Sequence, residues 1–345
     1  LQPYAQITSV VTPLRSQPQQ NSDNILAELV QGGQLQVVER LEDRWYRVLY
    51  GISENYISQN DAKIIWRSSD FVEQSEVVAV PRIPFGNIDV ESNIPILSSE
   101  NSNAYGILFV HENYQPPRET RSYAERDGRL IQSYLESALG LDSDHIYSYH
   151  GAGDTDEMTG RLQGLQRTAN DSSYIFIYLA GYGDIQKTES GFNLSLLPAE
   201  GPENSIDLSD MFSEIAAIPS RKTIVLADIE FLADQTGLSE SDIDLQQPLR
   251  NLSNLIISAR DSAAVLFSAE PGQKSHLYVS GTGEDKKHHL FTYFFAKALQ
   301  ERNTNVGAIF QYLDRNVPYN SRRLHDEPQD PRLFGNTAMS IVPNR

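Results

Sequence analysis

Hydrophobic and polar positions repeat with two different periods along this chain, and the change of period marks its organisation. Through residue 66 the apolar positions fall in short alternating runs, "ITSVV", "ILAELV", "LQVVER", "WYRVLY", "NYIS" and "AKIIW", between turn-rich spacers such as "SQPQQNSDN", "QGG" and "GISE". Alternation of this kind between turn residues predicts β-strands. So many strands in so short a stretch predict a small barrel. Residues 67–103 show little periodicity and hold Pro81, Pro84 and Pro95 among several Ser and Asn. They read as an extended linker packed on its neighbours, because "FVEQSEVVAV" has strand-like composition. From residue 104 onward, strand-like runs ("YGILFV", "HIYSY", "YIFIYLAG", "KTIVLAD", "AAVLFSA") alternate with stretches at helical spacing ("RSYAERDGRLIQSYLESALG", "EMTGRLQGLQRT", "LSDMFSEIA", "HHLFTYFFAKALQ", "NVGAIFQYLDRNV"). That alternation predicts an α/β sheet with helices on both faces, its apolar strands central and mostly parallel. Ligands of such sheets collect at the carboxyl ends of strands, where Tyr182 and Asp228 fall.

Composition narrows the function. A chain of 345 residues is long enough for two domains and a sizeable core. Its formal charge of −18 argues against nucleic acid and anionic membrane as partners, since repulsion from phosphate dominates at long range. No apolar run approaches the roughly 18–20 residues of a spanning helix, so membrane insertion is not expected. The first residue is Leu1 rather than Met, which reads as a processed or trimmed form with an export signal already gone. Cysteine is absent. That excludes disulfides, thiolate metal sites and any cysteine nucleophile.

Two stretches resemble known families. The series "TPLRSQP", "AELVQGGQLQVVE", "RWYRVLYG" and "NYIS" resembles a bacterial SH3-like domain over residues 1–66, with Asn55-Tyr56-Ile57 where that family has a Gly-Tyr-Val strand. Residues 88–340 resemble a bacterial member of the caspase-like peptidases, the family of caspases, metacaspases and orthocaspases. "DVESNIP" and "ENY" flank the first strand; "YAERDG" stands where the family has a segment ending Asn-Asp-Ala. "FIYLAGYGD" stands for Tyr-Tyr-Ala-Gly-His-Gly, "LSLLP" for Tyr-Leu-Leu-Pro and "IVLADIEF" for the Leu-Asp-Ala-Cys-Phe strand end. "VLFSAE" and "HHLFTYFFAKAL" match a Phe-Ser-Ala strand and a His-Gly-Leu-Phe-Thr-Tyr helix start. The resemblance implies a caspase-like, mostly parallel sheet with helices on both faces, preceded by an SH3-like barrel. The domains expected are 1–66, a linker over 67–103, and 104–345.

The same resemblance implies what is missing. Carried over by position, the family's general base falls on Tyr182 and its nucleophile on Glu230. A phenol with a pKa near 10 is a poor base at neutral pH, and a carboxylate is a weak nucleophile toward an amide and repels a developing oxyanion. The expectation is a pseudo-peptidase that binds protein or peptide without cleaving it. Asp127, in "ERDG", and Asp228 align with carboxylates that line a pocket for a basic side chain in metacaspase-like members. With Ser268 they are the peptide-pocket candidates, since paired carboxylates favour Arg or Lys. The plain alternative is that Asp228 caps a turn and Asp127 pairs with Arg126, Arg129 or another internal cation. His150 lies after a different strand and is expected to point away from the site, and His111 is expected to be structural or exposed. Trp45, Tyr46 and Tyr56 are candidates for a peptide or glycan groove on the barrel, or simply its core.

The acid clusters "GDTDEMTG" and "SESDIDL" lack the spacing of a calcium loop, and "GTGED" lacks the Lys and helix of a phosphate loop. No cofactor or metal is therefore expected. Two rivals stand beside the pseudoenzyme: a hydrolase using Glu230 with Asp228 as an acid/base pair, and a peptidoglycan-binding protein working through the SH3-like domain. The missing start, the absent Cys and the SH3-like module together point to a cell-envelope location.

Overall fold

The computed structural model describes residues 1–20, 24–42, 44–51, 53–68, 79–80, 84–114, 118–150, 155–188, 191–197, 205–232, 246–279 and 285–343. The acid cluster 239–245, the Gly-rich run 281–284 and most of the strand-like run 71–80 lie outside them. The chain forms two compact units: residues 1–84 with 113–122, and residues 85–112 with 123–345.

The first unit is antiparallel throughout. Its strands are β1 (Gln2–Ile7), β2 (Val11–Arg15), β3 (Ile25–Val30), β4 (Gln34–Arg40), β5 (Trp45–Tyr50), β6 (Ser53–Ser58), β7 (Ala62–Arg67) and β8 (Ala79–Val80). They pair in the order β7-β1-β4-β5-β6-β2-β3-β8. Inward positions from early and late strands, Ala5, Ile7, Leu14, Leu29, Leu35, Val48 and Ile57, share one core, as period-two alternation requires. Among the described residues no pairing joins β7 to β8, so the expected barrel is seen as an antiparallel sheet gathered on one core. Segment 113–122 is tied into this unit by polar contacts. Asp61 Oδ1 accepts from Ser9 Oγ at 2.9 Å and from the Thr120 amide at 3.3 Å, and Ser122 Oγ donates to the Val11 carbonyl at 2.8 Å. Burial pushes the Asp61 carboxyl upward.

The second unit is the predicted α/β assembly. Its strands are β9 (Ala104–Val110), β10 (Ile146–His150), β11 (Tyr174–Thr188), β12 (Gly191–Leu196), β13 (Ile206–Asp207), β14 (Lys222–Leu232), β15 (Ala263–Phe267) and β16 (Arg332–Gly335). Its helices are α1 (Ala124–Ser137), α2 (Thr155–Thr168), α3 (Leu208–Ala216), α4 (Gln246–Ile257), α5 (Leu290–Gln300) and α6 (Val306–His325). The strand order is β10-β9-β11-β14-β15-β16, parallel except for β16. β12 folds back antiparallel on the extension of β11, and β13 pairs with β12.

Alternation on the central strands sorts their side chains between the two faces. Ile175, Ile177 and Leu179 of β11 and Val225, Ala227 and Ile229 of β14 share one core with Leu162 of α2, Phe212 of α3 and Leu252 of α4. The residues between them face the other way, where Phe176 meets Phe295 of α5 at 6.4 Å between ring centroids. That second face carries the candidate site. No helix among the described residues is long and apolar enough to cross a membrane.

Candidate functional site at the carboxyl ends of the central strands

The parallel register of β11 and β14 sets Ala180 beside Asp228 and Tyr182 beside Glu230. The two positions carried over from the dyad are thus cross-strand neighbours, both half-buried. The turn-like "GYGD" is not a turn: β11 runs straight through it to Thr188. Gly183 has a packing role there. A Cβ on it would lie 2.6 Å from Cδ1 of Phe231 and 2.8 Å from Cγ2 of Ile229, well inside contact distance. Gly183→Ala should therefore cost about 1–3 kcal/mol through overpacking, measured by chemical denaturation. An unchanged midpoint would mean that the Phe231 ring yields freely.

Two residues before Glu230, Asp228 is fully buried and engaged at both oxygens. Oδ1 accepts from Ser275 Oγ at 2.6 Å and Oδ2 from Thr292 Oγ1 at 3.1 Å. The Thr292 proton is committed to Asp228, so the Tyr178 hydroxyl, 2.9 Å away, is the donor to Thr292. Ser275 also gives its amide to Glu230 Oε2 at 3.1 Å, linking the two carboxylates through one residue. Ser268 directly follows Phe267, which pairs with Ala227; this places it just past β15, level with Asp228. Its hydroxyl is buried with no hydrogen-bond partner among the described residues.

Asp127 stands in the first turn of α1, where a helix start favours an anion, and it is fully buried. Its partners come from the N-terminus of α5. Nδ1 of His288 lies 2.7 Å from Oδ1; Nδ1 of His289 lies 2.6 Å from Oδ2, and the His289 amide donates to Oδ2 at 3.2 Å. The other ring nitrogen of His288 is 2.9 Å from Glu91 Oε1. A ring with a carboxylate at each nitrogen must donate from both, so His288 is an imidazolium. Burial opposes that charge, but the hydrogen bonds to Asp127 and Glu91 and their charges raise its pKa. Burial likewise opposes the Asp127 charge, yet the two histidines hold its pKa down.

Glu91 completes the network. Arg126 binds it bidentately, Nε to Oε1 at 2.6 Å and Nη2 to Oε2 at 2.9 Å, and the amides of Gly86 and Ile88 donate to Oε2 at 2.8 and 3.1 Å. Despite burial, the bonds from His288 and Arg126 lower its pKa to about 2. Donor atoms of Asp127, Asp228 and His289 all lie within 4.8 Å of one another, a spacing that could hold a metal ion. All four carboxylate oxygens already accept protein hydrogen bonds.

The site candidates thus separate. Asp127 and Asp228 lie close together and sealed, with Asp127 paired to histidines rather than to Arg126 or Arg129. Arg126 faces Glu91, and Arg129 lies over the Phe85 ring with its Cζ 4.3 Å from the centroid. His150 ends the edge strand β10, with β9 between it and β11. His111 is buried and tilts against Phe109, 4.5 Å between centroids, on the face opposite Tyr182. In the first unit Tyr46 belongs to the core, Trp45 is buried with Arg15 5.9 Å from its ring, and Tyr56 is half-buried. The first two offer no ring to a groove. Glu91, His288 and His289 were not anticipated as site residues. The paired histidines at the mouth of an otherwise apolar helix were the available signal.

No protein-family model matches the chain, and no curated protein is similar to it in sequence. Among solved structures it is similar to caspase-1 from Spodoptera frugiperda, with 15% identity over 73% of this chain and 94% of that one, at a TM-score of 0.45. The fold and site define the class directly: an α/β protein with a mixed, mostly parallel sheet flanked by helices. The sequence holds no cysteine, so this chain supplies no thiol nucleophile.

Proposed function

We propose that the second unit is a caspase-like domain without its catalytic dyad, acting as a non-catalytic scaffold or regulatory subunit for a protein or peptide partner. The register that sets Tyr182 beside Glu230 carries this reading. The resemblance assigns base and nucleophile to these two neighbouring positions, and neither a phenol nor a carboxylate can perform that chemistry. A partner with basic side chains suits the net charge of −18, and Tyr182 and Glu230 are half-buried. The rival acid/base pair of Glu230 and Asp228 loses support. Asp228 is sealed behind Ser275 and Thr292, beyond reach of a substrate proton.

The test is turnover of a diverse peptide library by the pure full-length chain. No cleavage above the buffer control is expected between pH ~5 and ~8, the range in which a base would be in play. Cleavage that disappears in Glu230→Ala would refute the proposal.

A further inference from the structure

We infer that residues 273–277 form an acid-released latch on Asp228 and Glu230, clasped by residues 325–330 and keyed by the stacked rings of His276 and His325. This adds regulation to the reading above and does not depend on it. The latch meets the site through Ser275, whose hydroxyl donates to Asp228 Oδ1 at 2.6 Å and whose amide donates to Glu230 Oε2 at 3.1 Å. The chain leaving α6 holds the same stretch in place. Gln273 Nε2 donates to Asp330 Oδ2 at 2.9 Å, and its Oε1 accepts from the Asp330 amide at 2.7 Å. The His276 amide donates to Gln329 Oε1 at 2.9 Å, and Nε2 of His325 donates to the Leu277 carbonyl at 2.7 Å. Gln329 is fully buried and gives its side-chain amide to the Ser268 carbonyl at 3.1 Å, which anchors the clasp just past β15.

The His276 ring is the acid-sensitive part. It lies on the His325 ring with centroids 4.4 Å apart and planes 15° from parallel. The residue is buried, and its Nε2 has no hydrogen-bond partner among the described residues. The titratable and charged groups facing it are Lys274 in its own stretch, His325 at the end of α6, Glu327 just beyond, and His289 at the start of α5. Glu327 Oε2 is 3.6 Å from Nε2, but it already pairs with Lys274 at 3.2 Å. A proton on His276 would therefore set a buried cation against a second imidazole and beside an ammonium, with a counter-charge already in use. Burial first, then His325, Lys274 and His289, push its pKa down from 6.5 to about 3. A basic group with a lowered folded-state pKa favours the closed form fully above pH 6.5, and that contribution is lost as pH falls toward about 3. With the latch released the ring returns to its ordinary value, so each pH unit below about 6.5 favours release by up to about tenfold.

The experiment is amide hydrogen exchange on the full chain, corrected for the intrinsic effect of pH, for wild type, His276→Phe and His276→Gln between pH ~7 and ~5. The amides of Ser275, His276 and Tyr278 report the latch, since they donate to Glu230, Gln329 and the His288 carbonyl. In wild type their protection should fall by about tenfold or more across that range, while amides inside β11 and β14 keep theirs. Neither variant should show the fall, because phenylalanine and glutamine take up no proton. Unchanged protection in wild type overturns the inference. So does an equal fall in wild type and variants, which would assign the acid response to carboxylates. Should neither variant fold, the imidazole nitrogen-15 titration of wild type decides. A His276 ring that charges near its ordinary value of about 6.5 with the stretch still protected overturns the inference; one that stays neutral for as long as the stretch is protected supports it. Peptide turnover by wild type at neutral pH would refute the non-catalytic reading and leave these outcomes standing, so the two failures are distinguishable.

Discussion

Asp127→Ala is expected to lower the stability of the second unit by about 3–5 kcal/mol, the range for removing one partner of a buried ion pair. The loss has three parts in the geometry. His288 keeps one carboxylate, Glu91, which already serves Arg126. The His289 ring loses the acceptor of its Nδ1 proton, and the His289 amide loses its own. None of these groups can turn to water, because Asp127, His288 and His289 are buried. Asp127→Asn should fall between, since an amide oxygen still accepts but no longer compensates the imidazolium. Denaturant unfolding of the three proteins measures this. A loss below about 1 kcal/mol, the worth of an exposed pair, would mean that His288 is not held as a cation. The same reasoning changes how binding data on this variant are read. A weakened partner interaction in Asp127→Ala would report a damaged fold before it reported a lost contact.

The strands and helices of the second unit were legible because burial imposes a period. β9, β11, β14 and β15 read as continuous apolar runs, since parallel strands covered on both faces have no polar side to show. The pairing of Tyr182 with Glu230 was reachable from the order of segments, and the register makes it a contact. The network around Asp127 was not reachable, for three physical reasons. Its partners lie 161 and 162 residues away in sequence, and periodicity carries no information about such pairings. Arg126 was a natural guess as the partner of Asp127, but adjacent residues on a helix do not face each other, and Arg126 turns to Glu91 instead. Glu91 itself sat in a stretch read as linker. Residues Asp89–Glu91 form one turn of 3₁₀ helix, too short to show an amphipathic period, although Ile88, Val90 and Glu91 are all buried. In the first unit, Trp45 and Tyr46 were read as groove candidates or as barrel core. Both are buried, Tyr46 in the core and Trp45 with Arg15 near its ring.

The pH dependence of stability should show the same network from both sides. His288 has a folded-state pKa raised above its ordinary 6.5, so the stability it contributes is complete below about pH 6.5 and is lost as pH rises through the raised value. Glu91 and Asp127 behave in the opposite sense. Their pKa values are lowered, Glu91 from 4.5 to about 2, so their contribution is present above the ordinary carboxylate range and is lost as pH falls through the lowered values. The cluster is therefore most stabilising between about pH 4.5 and 6.5, bounded by the two ordinary values. Comparing wild type with His288→Gln isolates the alkaline limb. Glutamine cannot carry charge, so the stability difference between the two should be level across that window. Above it the difference should shrink, at most by about 1.4 kcal/mol per pH unit for one proton. The groups facing His288 fix this sign: Asp127 from α1, Glu91 from the 3₁₀ turn, and Arg126, whose charge Glu91 absorbs. If the difference between wild type and His288→Gln instead grew with pH, His288 would be neutral in the folded protein. One of its two carboxylates would then carry the proton, and the charge assignment of the whole site would have to be reversed.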